Sequence, residues 1–210
     1  MRLNVRTLFS TIVVLAVGVS AAQAAAISYD SRASWQAAVT GPVSTTFEQN
    51  APGTFTFLGA GPVVLDGITY SVNAGFLYTV DPLYNDAYSV LGTGDVLSAQ
   101  GGASILTVDV AGATAFGFDW HSLGGPFMNV FLSTGDAFSI PAVAGATGFF
   151  GITSTVPVSS FTIQVPGILN IDNFSVGSEG PAAVPEPATL LLVGGPLAIC
   201  LRRRLRRKTA

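Results

Sequence analysis

The side chains that could do chemistry are few and unevenly placed. One histidine, His121, and one cysteine, Cys200, supply all the imidazole and thiol of the 210 residues. His121 lies two positions from Asp119 in "TAFGFDWH". On a strand that spacing puts both side chains on one face, and with a nearby serine a triad can be drawn. The turn sequence "SLGG" that follows (122–125) fits a half-buried histidine beside a turn just as well. No Gly-x-Ser-x-Gly elbow, His-Glu-x-x-His pair or phosphate loop occurs. Eleven carboxylates lie between residues 25 and 185, and no two are marked by spacing as the acid pair of a glycosidase. The expectation is a protein that is not an enzyme, with a secreted polysaccharide hydrolase as the alternative.

The aromatic residues say more. "FLYTVDPLYNDAY" (76–88) breaks the alternating rhythm around it and gathers Tyr78, Asp81, Tyr84, Asp86 and Tyr88 in one short stretch. Aromatic faces stack on sugar rings while neighbouring polar groups take the hydroxyls, so this is the candidate ligand loop. A solvated loop packed by its own tyrosines is the competing reading. Trp120 alternates with Phe116 and Phe118, which assigns it to a core face. Asn173-Phe174-Ser175 matches a glycosylation sequon by pattern alone.

Charge narrows the partners. The whole chain carries −3, but residues 25–185 hold Arg32 as their one base against eleven acids. Such a body repels nucleic acid, whose phosphates need Lys and Arg, and it avoids anionic membrane surfaces. It suits a solvated extracellular protein, and carboxylates of this density can also hold a divalent cation. With Cys200 near the C-terminus, the body has neither disulfide nor thiolate metal site.

The elements that must position these groups are mostly strands. "DSRASWQAAV" (30–39) predicts a short helix capped by Asp30 or Ser31, with Trp35, Ala38 and Val39 inward and Gly41-Pro42 as its stop. From Val43 the period changes to two. Segments such as "GITYSV", "GFLYTV", "SILTVDV", "MNVFLS" and "VSSFTIQV" are rich in Val, Ile, Phe and Thr and separated by Gly, Pro, Asn and Asp. About nine to eleven strands at this spacing predict an all-β fold, an antiparallel sandwich or barrel with one short N-terminal helix. "TGDVLS" (93–98) and "TGDAFS" (134–139) both read as hairpins.

The ends read as addresses. Arg2 and Arg6, the apolar "LFSTIVVLAVGVSA" and "AQA" at 22–24 predict a signal peptide over residues 1–24, with an uncleaved anchor as the alternative. The domain follows at 25–176 and a tether at 177–184. At the other end Pro185, Glu186 and Pro187 precede an uncharged run of fourteen residues, Ala188 to Leu201, and then Arg202, Arg203, Arg204, Arg206, Arg207 and Lys208. As a helix that run spans about 21 Å, short of the roughly 30 Å of a bilayer core. The basic cluster stays cytoplasmic. A weak span of this kind predicts transient insertion in the inner membrane rather than permanent anchoring.

This order of parts resembles the PEP-CTERM sorting signal of bacterial surface and matrix proteins, and the match covers residues 185–208. The resemblance implies processing by a membrane exosortase and export to the cell surface or extracellular matrix of a Gram-negative bacterium that makes exopolysaccharide or biofilm. The body, through "SRASWQAAVTG", "ATAFGFDW" and "LNIDNFSVG", resembles an exported domain common in these proteins. That likeness implies a jelly-roll β-sandwich akin to carbohydrate-binding modules, acting as a structural or sugar-binding component with exopolysaccharide as partner. It also implies a structural calcium ion between Glu48 and Asp172, with Asn173 standing where many modules carry a second Asp.

Overall fold

The computed structural model describes residues 26–92 and 94–180, apart from the side chains of residues 102–104. The expected signal peptide (1–24) and the sorting signal at 185–208 lie outside the described residues. In chain order the elements are β1 (Ala26–Tyr29), α1 (Arg32–Ala38), β2 (Val39–Thr45), β3 (Phe55–Gly59), β4 (Val63–Leu65), β5 (Ile68–Val72), β6 (Phe76–Val80), a 3-10 turn at Ser89–Leu91, β7 (Val96–Ser122), β8 (Phe127–Leu132), β9 (Ala137–Pro141) and β10 (Thr147–Glu179). Every strand pair is antiparallel.

Two long, bent strands organise the fold, because each changes neighbours along its length. Residues 115–122 of β7 lie between 147–153 and 169–177 of β10, with β1 and β2 on the flanks. Residues 104–109 of β7 lie between 160–165 of β10 and β5, with β8 and β9 beyond one side and β4 beyond the other. Ala111 and Gly112, at φ 50° and 80°, turn the corner between these parts of β7. The result is two packed layers, with β6 and the edge strand β3 extending from residues 96–100 of β7.

Alternation explains what fills the space between the layers. Phe116, Phe118 and Trp120 point inward from one layer and Phe161, Ile163 and Val165 from the other. Phe116 stacks on Phe161 with ring centroids 4.0 Å apart and planes at 7°. Each such fully buried aromatic contributes about 1.5–3 kcal/mol of transfer free energy.

Four expectations are revised. The helix is shorter than 30–39, and Ser31 at its N-cap makes no side-chain capping bond. Gly41-Pro42 does not end it: both lie inside β2, with Gly41 at φ 60°. The tether expected from residue 177 is strand as far as Glu179, which pairs with Val39. Of the two expected hairpins, 134–139 forms one between β8 and β9. Gly94-Asp95 instead leads into β7, and buried Asp95 accepts the amides of Gln49 (2.8 Å) and Asn50 (2.7 Å).

Candidate functional site

The loop singled out in the sequence stands over three strands. Register places Tyr78 opposite Ser98 and Phe76 opposite Gln100, while Phe57 of β3 faces Tyr78 and Phe55 faces Val80. Alternation then puts Phe55, Phe57, Phe76, Tyr78, Ser98 and Gln100 on one face. Phe55, Phe57 and Phe76 are 46%, 55% and 48% exposed, so this face is open to solvent rather than packed into the core.

Residues 81–92 close over one end of that face, and two Asx turns shape them. Asp81 Oδ1 accepts the amides of Leu83 (2.9 Å) and of Gly53 (2.7 Å) across the loop. Asn85 Oδ1 accepts the amide of Ala87 (2.9 Å). A carboxylate or amide oxygen bonding two residues ahead imitates a backbone turn, and these two turns set down Tyr84 and Tyr88. Asp81 is buried, and its Oδ1 builds the loop by accepting two backbone amides. Asp86 is exposed and lies outside the cleft lining.

Tyr78, Tyr84 and Tyr88 come together with Phe55, Val80 and Gln100 around a cleft of about 220 Å³. Its aromatic rings form a chain of contacts. Phe55 meets Tyr84 edge-on at 5.0 Å and Tyr78 at 5.9 Å, and Tyr84 meets Tyr88 at 6.2 Å. Phe57 continues the chain beyond the cleft, at 5.3 Å from both Tyr78 and Phe76. Gln100 Nε2 donates to Tyr88 Oη (3.0 Å) and Ser98 Oγ (3.2 Å), which fixes the amide against the aromatic wall. The backbone beneath is close-packed: a Cβ on Gly75 would run into the Gln100 carbonyl, and one on Gly101 would lie 2.7 Å from Gly75 Cα.

Phe55, Phe57 and Gln100 were not singled out from the sequence. The alternating "FTFLG" at 55–59 was the available signal for the two phenylalanines. Gln100 carried none, because its role depends on the register between β6 and β7.

The other candidates lie elsewhere on the first layer: Asp119 beside α1, and His121 against the 81–92 loop, where Asn170 Nδ2 donates to the Ala87 carbonyl (3.3 Å). Trp35 Nε1 donates to the Ile152 carbonyl (2.9 Å), and its ring tilts onto Phe149 at 5.9 Å. Arg32 bridges helix and sheet. Its guanidinium lies 3.1 Å from Asp119 Oδ2, donates to the Asn173 carbonyl (2.9 Å) and to Ser175 Oγ (3.3 Å), and covers the Phe149 ring at 4.7 Å. Asp119 thus pairs with Arg32 and with Asn173 Nδ2 (2.9 Å), not with His121. His121 is buried beside Asn170, whose Nδ2 lies 3.3 Å from its Nδ1, and burial holds the imidazole below its ordinary range. The triad drawn on paper is not assembled.

Asp172 lies opposite Asp119 and is 3% exposed. Burial pushes its carboxyl up to about 7; the Asn173 amide opposes this, Asp119 and Glu48 add to it, and Arg32 opposes it. Glu48 and Asp172 therefore do share a neighbourhood. Calcium takes six to eight oxygens, carbonyl, amide and water oxygens included, so two carboxylates would supply part of such a shell. Among the described residues no group of three or more His, Cys, Asp and Glu side chains is set to hold a metal ion. An acid with a raised pKa beside other carboxylates is also the pattern of a glycosidase pair, yet the Asp172 side chain is almost wholly buried.

No family model and no curated protein matches the sequence. Among solved structures the chain is similar to the K2 cleaved adhesin domain of Lys-gingipain, at 12% identity and TM-score 0.45, over 65% of this chain and 97% of that one. It is similar to a family 29 carbohydrate-binding module from Piromyces equi, at 7% identity and TM-score 0.35, over 60% and 90%. It is also similar to the family 11 carbohydrate-binding module of a Clostridium thermocellum cellulosomal cellulase, at 12% identity and TM-score 0.30, over 63% and 99%. Identity of this order carries no ligand over to this chain.

Proposed function

We propose that this chain is an exported, non-catalytic protein that binds neutral glycan chains through the cleft between β3, β6 and the 81–92 loop. The observation that carries this reading is the convergence of Phe55, Tyr78, Tyr84 and Tyr88 around one amide, Gln100. A mostly aromatic concavity with a few fixed polar groups is what a small-molecule or sugar site requires. Among the described residues both Gln100 side-chain bonds use Nε2, and its carbonyl oxygen is the group we assign to a ligand hydroxyl. Partly exposed rings supply flat faces for pyranose rings.

Charge selects the class of glycan. Arg32, the one base of the body, is engaged by Asp119 away from the cleft, and exposed Asp86 stands in the loop beside Tyr84 and Tyr88. A polyuronate would meet carboxylates with no countercharge, whereas a neutral chain meets no such field. Retention of the protein in gels cast with neutral glucans, mannans or xylans, and free migration through alginate or polygalacturonate, is the expected result. Free migration in every gel contradicts the reading.

The ends supply location. The reading extends to a tail, Pro185 to Lys208, that is recognised by an exosortase after export, leaving the body at the cell surface or in an exopolysaccharide matrix. Support comes from the PEP-CTERM resemblance and from the short span. The mass of the surface-exposed protein tests it: a C-terminus lacking residues 202–208 is expected, and a mature form that retains them contradicts it.

A further inference from the structure

Among the described residues the sandwich leaves several strand edges open, and they are not equally protected. Open edges pair with other strands unless proline, charge or shortness prevents it. The edge strand β2 contains Pro42, β9 ends in Pro141, β4 is three residues long, and β1 is four residues long and runs straight into Asp30. Edge strand β3 has none of these devices. Residues 49–65 carry no charged side chain, and Phe55, Thr56 and Phe57 are all exposed.

The backbone of β3 points the same way. The Asp81 amide donates to the Thr54 carbonyl (3.0 Å), so residue 54 is hydrogen-bonded toward β6. In an antiparallel ladder that orientation alternates. Thr56 therefore bonds inward toward Thr79, while the N–H and C=O of Phe55 and Phe57 face out of the sheet. The register shift between Phe57 and Gly59 limits the regular edge to residues 54–57.

We propose that two copies of this chain associate by pairing their β3 edges antiparallel about Thr56. Phe55 of each copy then exchanges two hydrogen bonds with Phe57 of the other, four bonds in all. A second copy is the occupant the register favours, because the outward N–H and C=O groups of Phe55 and Phe57 are symmetric about Thr56. The body is acidic and without free bases, so copies repel one another over most of their surface. The uncharged β3 edge is a place where that repulsion is weakest. An edge of this kind is also its own complement. A two-fold axis normal to the sheet leaves both aromatic faces on the same side, and the strip from Phe76 through Phe57 and Phe55 to Tyr84 becomes continuous across the pair. The pairing does not depend on the glycan reading, but it would turn two clefts into one platform for a polymer.

The register is testable by cross-linking. Thr56 facing Thr56 is a non-hydrogen-bonded pair, with Cα atoms about 4.5 Å apart, within the range of a disulfide. In the full chain carrying Cys200→Ser, mild oxidation of Thr56→Cys is expected to give a covalent dimer, and Val64→Cys or Val43→Cys, equally exposed, is expected to stay monomeric. Sedimentation of the full chain is expected to show a dimer that Thr56→Glu abolishes; that variant also loses the Thr56 Oγ1 bond to Asn50 Oδ1 (2.7 Å), so Asn50→Ala, which removes the same bond and adds no charge, is the control expected to remain dimeric. Monomer at all concentrations, equal cross-linking from all three cysteines, or a dimer that survives Thr56→Glu overturns the proposal. A monomer whose β3 edge captures only a peptide of another protein also overturns it. Glycan binding by a strictly monomeric protein would refute this pairing and leave the proposed function intact.

Discussion

Tyr84 is 48% exposed, yet its ring touches both Phe55 and Tyr88, so its side chain serves the cleft more than the core. Replacing it with alanine should change Tm little and weaken glycan binding by about 1–2 kcal/mol, the usual cost of removing an aromatic anchor. Tyr84→Phe keeps the ring and should retain most of the affinity. Titration of the two variants beside a melting curve checks both halves. Asp172 gives a second prediction at this scale. Its folded pKa of about 7 stands above its ordinary 3.8, chiefly through burial. The folded state therefore binds that proton more tightly than the unfolded chain. The stabilisation is full below about pH 4 and is lost as pH rises through about 7. Tm should fall across that window in the native protein, and the fall should be smaller in Asp172→Asn, whose side-chain oxygen can still accept the Asn173 amide. An equal slope in both would show that Asp172 is not the group responsible.

At the scale of elements, local pattern carried the sequence reading where it was strong. "GITYSV" and "GFLYTV" are strands β5 and β6, and "TAFGFDW" alternates as expected, with Phe116, Phe118 and Trp120 in the core. The gathering of tyrosines at 76–88 was legible because it interrupts that alternation. Legibility stopped where position depends on distant chain. Asp81 carries a ligand-like side chain, but its partners are amides at 53 and 83. The Asp-Pro dipeptide was the local hint of a turn. Arg32 was counted as a charge, while its role as the clasp of α1 follows from Asp119, Phe149 and Asn173, all more than eighty positions away. Arg32→Ala removes that clasp and leaves Asp119 beside Asp172 without a cation. It should destabilise the fold by about 2 kcal/mol, read as a shift in denaturant midpoint, with glycan affinity unchanged because no α1 residue lines the cleft. A loss of affinity at constant stability would contradict that separation.

For the whole molecule, an acidic body with an uncharged aromatic strip reconciles solubility with binding. In the proposed reading, repulsion limits contact between copies to the β3 edge, and glycan binding is confined to the adjoining aromatic face. Affinity for a neutral glycan should therefore change little with ionic strength, because no counterions are released. The most direct test is a calorimetric titration of the protein with a neutral hexasaccharide, repeated for Phe55→Ala, Tyr84→Ala and, as a control, Phe131→Ala, which removes an exposed ring on β8 away from the cleft. The account predicts binding by the native protein and by Phe131→Ala, with a drop on the order of tenfold in each cleft variant. Equal affinity in all four proteins would place the ligand elsewhere and contradict it.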